Sequence, residues 1–179
     1  MIIEEHKAIF IHIPKNAGTA IESLFGNNYF KIQPDKHADI HEIKILFPEV
    51  YKSYRKFTII RNPYDKMVSW YFYLKRNLGE NHEVLKFNEW IKDPSQFWHA
   101  DDPIHFLDPQ HTWIDDTVEI IKFENLNKEL NVFFGKDIDL PVINKSNHDH
   151  FSSYYNKESF NIIYNRYKED FTRYNYKKL

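Results

Sequence analysis

The chain contains no cysteine, which removes disulfides, thiolate metal sites and thiol nucleophiles from consideration. It has no run of about 18 apolar residues, so no segment reads as a membrane-spanning helix, and its first residues lack the pattern of a secretory signal. The formal net charge is only −2 on 179 residues. That balance argues against a general binder of nucleic acid or of anionic membranes and confines any positive site to a local cluster. Only four residues are glycine, and no Gly-x-Gly-x-x-Gly occurs, so dinucleotide hydride chemistry finds no support. No internal repeat and no low-complexity linker interrupts the chain.

What is present is aromatic. Phe, Trp and Tyr make up 17% of the residues, so a single sizeable core is within reach at this length despite the polar average, and residues 1–179 are expected to form one domain. Strands are predicted near 8–13, 57–61 and 118–123, with a short one near 29–32. Helices are predicted near 19–26, 39–47, 63–78, 84–92, 124–134 and 157–172. Gly135 follows Phe133-Phe134 as a helix C-cap. Strands alternating with helices predict an α/β fold with a central parallel sheet flanked by helices. The aromatic stripe Phe160, Ile163, Tyr164, Tyr167 and Phe171 has helical spacing and reads as core. Residues 92–113 are the least regular; a long loop of this kind is often functional, and it is read as an acceptor-binding wall.

Two segments carry chemistry. In Ile9-Phe-Ile-His-Ile-Pro-Lys-Asn-Ala-Gly-Thr-Ala20 a buried strand stops at Pro14. A small polar loop follows, and a helix starts with Ile21, Leu24 and Phe25 on one face. Loop N–H groups and the helix dipole converge there on one spot, an anion cradle. Gly18 permits close approach, Lys15 adds a positive charge and Thr19 a hydroxyl. In Phe57-Thr-Ile-Ile-Arg-Asn-Pro-Tyr-Asp-Lys-Met-Val-Ser-Trp70 a second buried strand delivers Arg61 at its C-terminal end, where ligands bind in open α/β sheets. Asn62 is an N-cap and Pro63 a first helical residue. Met67, Tyr71, Leu74 and Leu78 form the core stripe of the helix, and Ser69 lies off it.

The pair Pro14-Lys-Asn-Ala-Gly-Thr19 and Arg61-Asn-Pro-Tyr-Asp-Lys-Met-Val-Ser69 resembles the two nucleotide motifs of the sulfotransferases, of the family 2 type related to carbohydrate and heparan-sulfate 2-O-sulfotransferases. The resemblance implies a three-layer P-loop-like fold and use of 3′-phosphoadenosine-5′-phosphosulfate (PAPS). Lys15, Asn16, Ala17, Gly18, Thr19 and Ala20 would hold the 5′-phosphosulfate, and Arg61 and Ser69 the 3′-phosphate. It extends from about residue 8 to 176. Lys36-His-Ala-Asp-Ile-His41 looks like the catalytic histidine segment, Ile121-Lys-Phe-Glu-Asn-Leu126 like a recurring strand–helix junction, and Leu140-Pro-Val-Ile-Asn-Lys-Ser146 like a late motif whose Asn144, Lys145 and Ser146 would touch the nucleotide.

On this resemblance the chain is a PAPS-dependent sulfotransferase acting on a hydroxyl, expected on a sugar or glycan. Charge builds on the bridging oxygen as the S–O bond breaks; Lys15 and the loop N–H groups would stabilise it, and loss of one such donor typically costs ~10²–10³ in rate. A neutral imidazole suits removal of the acceptor proton. His37 is the first candidate by position and His41 the second, four residues on. His12, inside the first strand, reads as a hydrogen-bonded core residue; His105 and His111 fall in the presumed acceptor region, and His148 and His150 flank the late motif. His37-x-x-x-His41 also has helical metal spacing, with Asp39, Glu42 or a distant histidine as a third ligand, but His-Glu-x-x-His is absent and the expectation is that no metal is required.

Two other readings stand beside this one. A small-molecule kinase would use a similar fold, but Lys15 precedes Gly18 and no Gly-Lys-Ser/Thr follows; Glu124 is the candidate for magnesium. The other is a non-catalytic nucleotide-binding module. Golgi relatives of the resembled family carry a membrane anchor and often disulfides; with neither, a cytoplasmic location is expected. No nucleic-acid partner is expected, and the acceptor and oligomeric state are left open.

Overall fold

The computed structural model describes residues 1–26, 37–78, 85–97, 104–140 and 149–179. The chain is α/β, with a four-stranded sheet formed by Ile2–Ile3 (β1), Ala8–Ile11 (β2), Arg55–Ile60 (β3) and Glu119–Lys122 (β4), in the order β1-β2-β3-β4. β2, β3 and β4 are parallel, with Ile9 opposite Lys56 and Ile59 opposite Ile121, whereas β1 pairs antiparallel with β2. The sheet is therefore mixed, where the sequence led to a parallel one. Two residues are too few to show a strand period, and the reversal is made by a tight turn at Glu4–His6 with Lys7 at φ 44°.

The helices are Gly18–Phe25 (α1), Ile40–Leu46 (α2), Pro48–Ser53 (α3), Pro63–Leu78 (α4), Phe87–Trp90 (α5), Leu126–Phe134 (α6), Lys157–Arg166 (α7) and Lys168–Arg173 (α8). α4 has the predicted bounds. The Asn62 side-chain oxygen accepts from the N–H of Tyr64 at 3.0 Å, satisfying one of the orphan donors of its first turn. Gly135, at φ 64°, ends α6 in the left-handed conformation that glycine adopts without penalty. The expected helix over 157–172 is two helices, broken at Tyr167, whose ring is buried and whose hydroxyl donates to the Leu107 carbonyl at 2.8 Å. α3 was not expected. The predicted strand near 29–32 lies outside the described residues.

The described residues pack as two compact units, Met1–Arg61 with Gln110–Asn144, and Asn62–Pro109 with Lys145–Leu179. In the first, both faces of β2 and of β3 from Phe57 onward are buried, as parallel strands require. Phe10, Ile21, Phe25, Phe57, Leu130 and Phe133 belong to its core, with the Phe57 ring 5.1 Å from Phe10 and 4.6 Å from Phe133. Each such side chain contributes about 1.5–3 kcal/mol by leaving water. At the start of the β3–β4 pair Arg55 makes a two-pronged ion pair with Glu119, at 2.9 and 2.8 Å. Both groups are about half exposed, so the pair fixes register more than it stabilises.

In the second unit α4 contributes more buried apolar residues than any other helix. Met67, Tyr71 and Leu74 are buried as the stripe predicted, and so are Tyr64, Val68 and Trp70. The Tyr64 ring lies within 5.3 Å of Tyr155, Phe160 and Phe171, and Tyr155 donates its hydroxyl to the Tyr64 carbonyl at 2.8 Å. Of the C-terminal stripe, Ile163, Tyr167 and Phe171 are buried in the core, and Phe160 and Tyr164 are half-buried.

Candidate functional site

The apolar strand β2 leads into His12-Ile13-Pro14, and the loop Lys15-Asn16-Ala17 turns the chain into α1. Lys15 (φ 68°) and Ala17 (φ 60°) both adopt the left-handed conformation without being glycine, which stores about 1–2 kcal/mol at each. Ala17 is the N-cap of α1, yet it offers no side-chain cap, and no acidic residue occupies the first turn. Helix geometry leaves the first N–H groups without intrahelical partners. The N–H of Ala20 is the exception, bonded to the Ala17 carbonyl at 3.0 Å. Thr19 is exposed, while Ala20 packs its methyl into the core.

Gly18 has a reason the sequence did not show. A Cβ there would fall on the imidazole of His12. The close approach that glycine permits is made by a side chain of the same protein. His12 is buried, stacks on Phe10 with ring centroids 5.6 Å apart, and its Nδ1 lies 3.2 Å from the Glu22 carboxylate of α1. The reading of His12 as a hydrogen-bonded core residue agrees with this setting.

His37 stands next to it, with ring centroids 4.3 Å apart. Its Nδ1 is 2.9 Å from the His12 main-chain oxygen. A carbonyl oxygen only accepts, so Nδ1 carries the proton, and in the neutral ring Nε2 keeps the lone pair. His41 is elsewhere. α2 begins at Ile40, so the two histidines do not share a helix, and His41 is exposed in its first turn. Asp39 and Glu42 are occupied by the helix cap. Asp39 accepts from the N–H groups of His41 and Glu42 at 2.8 and 2.9 Å, and Glu42 accepts from the Asp39 N–H at 3.0 Å. Among the described residues no three His, Asp or Glu side chains gather at metal-ligand spacing.

Arg61 follows the last residue of β3. Its side chain is 8% exposed. Nη1 donates to the Lys15 carbonyl at 2.9 Å, and the guanidinium lies over the Phe123 ring at 4.2 Å. The structure thus brings the predicted arginine onto the predicted loop, through the main chain of Lys15.

Asn16 is turned inward. It is fully buried, and its amide donates to the Ile59 carbonyl at 2.6 Å and to Gln110 Oε1 at 2.7 Å. The amide nitrogen of this side chain thus bolts the loop to β3, while its Oδ1 is buried without a hydrogen-bond partner among the described residues. Gln110, also fully buried, accepts from the Arg61 N–H at 3.0 Å and donates to the Arg61 carbonyl at 2.9 Å. Sequence reasoning placed Gln110 in the presumed acceptor wall and missed this role, along with those of Glu22 and Phe123. No local signal distinguishes the glutamine, because its partners are 49 and 94 residues away.

Ser69 belongs to α4, in the other unit. It is 8% exposed, and its hydroxyl makes no hydrogen bond among the described residues. Three residues earlier Lys66 is buried, with Nζ 3.5 Å from the Asp108 carbonyl. Burial pushes its amine down to about 8, against the opposing pull of Asp170 and Asp108. Asn144, Lys145, Ser146 and His148 lie outside the described residues, as does the side chain of His105.

A sulfotransferase family model matches residues 1–177. No curated protein and no solved structure matches the chain. The chain belongs to the sulfotransferase family, in agreement with the family 2 resemblance carried by the two motifs.

Proposed function

We propose that this sulfotransferase moves the sulfuryl group of PAPS onto a hydroxyl of a carbohydrate acceptor, on a three-layer P-loop-like fold. The observation that carries the reading is the 2.9 Å bond from Arg61 to the Lys15 carbonyl, which joins the two motifs expected to hold the two ends of one nucleotide. The open first turn of α1 and the left-handed loop before it suit a phosphate-like group, since the N-terminal N–H groups have no competing cap.

In the proposed step the acceptor oxygen attacks sulfur in line with the bridging oxygen. The new O–S bond forms as the old one breaks, and the electron pair of the old bond stays on the 5′-phosphate. Lys15 and the loop N–H groups take up that charge. The acceptor proton passes to Nε2 of His37, the nitrogen left basic by the Nδ1 bond to His12. Arg61 and Ser69 hold the 3′-phosphate. Phosphosulfate is already activated, so the step needs no metal.

Calorimetric titration with 3′-phosphoadenosine 5′-phosphate (PAP), ADP and ATP, with and without magnesium, tests the reading. Magnesium-independent binding that prefers PAP is the expected result. Preference for magnesium-ATP would replace it with a kinase, and binding of none would leave a non-catalytic module.

A further inference from the structure

The ladder between β2 and β3 ends at the pair Ile11–Thr58, and that between β3 and β4 ends at Ile60–Lys122. Arg61 lies beyond both. Its main chain is nevertheless bonded as a strand residue would be, with the N–H given to Gln110 Oε1 at 3.0 Å and the carbonyl receiving Gln110 Nε2 at 2.9 Å. One planar amide, with an acceptor and a donor side by side, replaces the peptide of a neighbouring strand. The same Oε1 receives the Asn16 amide at 2.7 Å, whose other proton goes to the Ile59 carbonyl.

We propose that Gln110 is a positioning residue for nucleotide recognition, fixing the Arg61 main chain so that the guanidinium is presented to the 3′-phosphate. The proposal rests on the PAPS reading. With its main chain held by Gln110, its Nη1 on the Lys15 carbonyl and its plane on Phe123, Arg61 has no freedom to swing. An arginine ordered before the ligand arrives does not have to be ordered by it. The donor–acceptor pairing is what Gln110 supplies, so a side chain of equal length without it should fail.

PAP and AMP differ only in the 3′-phosphate, and the ratio of their affinities reads the Arg61 end of the site. In Gln110→Met the ratio is expected to fall roughly 10–100-fold, the scale on which misplacing a site group by about 1 Å acts. Gln110→Asn, which keeps the amide but is one carbon shorter, is expected to fall between the two and serves if the Met variant does not fold. Thr58→Val removes the buried 2.8 Å bond from the Thr58 hydroxyl to the Ile11 carbonyl, a β2–β3 contact that neither Gln110 nor the Lys15 loop shares; it should lose thermal stability while keeping the PAP-to-AMP ratio. An unchanged ratio in the Gln110 variants, or an equal fall in Thr58→Val, would overturn the positioning role. A wild-type protein without PAP preference would instead overturn the PAPS reading, and this proposal with it.

Discussion

His12 and Gly18 occupy one another's space: the imidazole lies where a side chain at residue 18 would begin. The backbone of Gly18 is not in the left-handed region, so the requirement for glycine here is one of room alone. Gly18→Ala must expel the His12 ring from its place between Phe10 and Glu22. Overpacking of this kind costs about 1–3 kcal/mol. Thermal unfolding should show a melting temperature lower by several degrees, and turnover should fall with it, because the His12 main chain holds His37. A variant that melts and turns over like the wild type would mean that the ring has another place to go.

The tautomer of His37 gives a kinetic prediction. General-base catalysis contributes typically ~10²–10⁴ in rate, so His37→Ala should lose turnover on that scale and lose the acidic limb of the pH–rate profile. His41→Ala, on the exposed start of α2, should keep both. If the limb survives in His37→Ala and disappears in His41→Ala, the base has been misassigned.

Ser69→Ala separates binding from folding. Its hydroxyl has no hydrogen bond among the described residues and sits inside a helix, where alanine is the better former. Stability should be unchanged or slightly raised. A hydrogen bond to a charged group is worth about 1.5–3 kcal/mol, so PAP affinity should fall about 10–100-fold. A lower melting temperature with unchanged PAP affinity would make Ser69 a structural residue.

Lys66 ties stability to pH. Its amine is held at about 8 in the folded protein, against 10.5 for an ordinary lysine. Between those values the unfolded chain binds the extra proton, so stability rises with pH there, by up to about 3 kcal/mol in all. Tyr155, Tyr167 and Tyr174, which burial pushes upward, act in the opposite sense once unfolded tyrosines ionise near about 10. Urea unfolding at pH 7.5 and 9.5 should therefore show a gain in the wild type that is absent in Lys66→Met. An equal gain in both would show that Lys66 is protonated throughout.

What the sequence made legible was local. The run Ala8–Ile11 is apolar on both sides, and Phe57–Ile60 is apolar but for the β-branched Thr58, so both read as buried strands. Asn62-Pro63 marked the start of α4, and Gly135 the end of α6. The Lys15–Ala17 loop and Arg61 stood out as candidates because each stands next to a strand end. Long-range pairings were not legible. Gln110 sits among prolines and histidines in a stretch without period, and nothing near it indicates two buried partners. Asn16 was placed among the nucleotide-binding residues by the family resemblance alone, and nothing beside it in the sequence indicates that its amide turns inward to Ile59 and Gln110. Tyr167 breaks a helix without glycine or proline, its side chain being buried with its hydroxyl on the Leu107 carbonyl.

The bond from Asn16 to Gln110 spans 94 residues, and this sets an order of assembly. β2 has its parallel partner once β3 has been made, but the loop that follows β2 keeps a polar side chain without its final partner until more than half of the chain has been made. Contacts of such separation are late to form and slow to find. The Lys15–Ala17 loop is then late to reach its final shape, and a chain stopped short of residue 110 would carry the loop without the side chain that sets it.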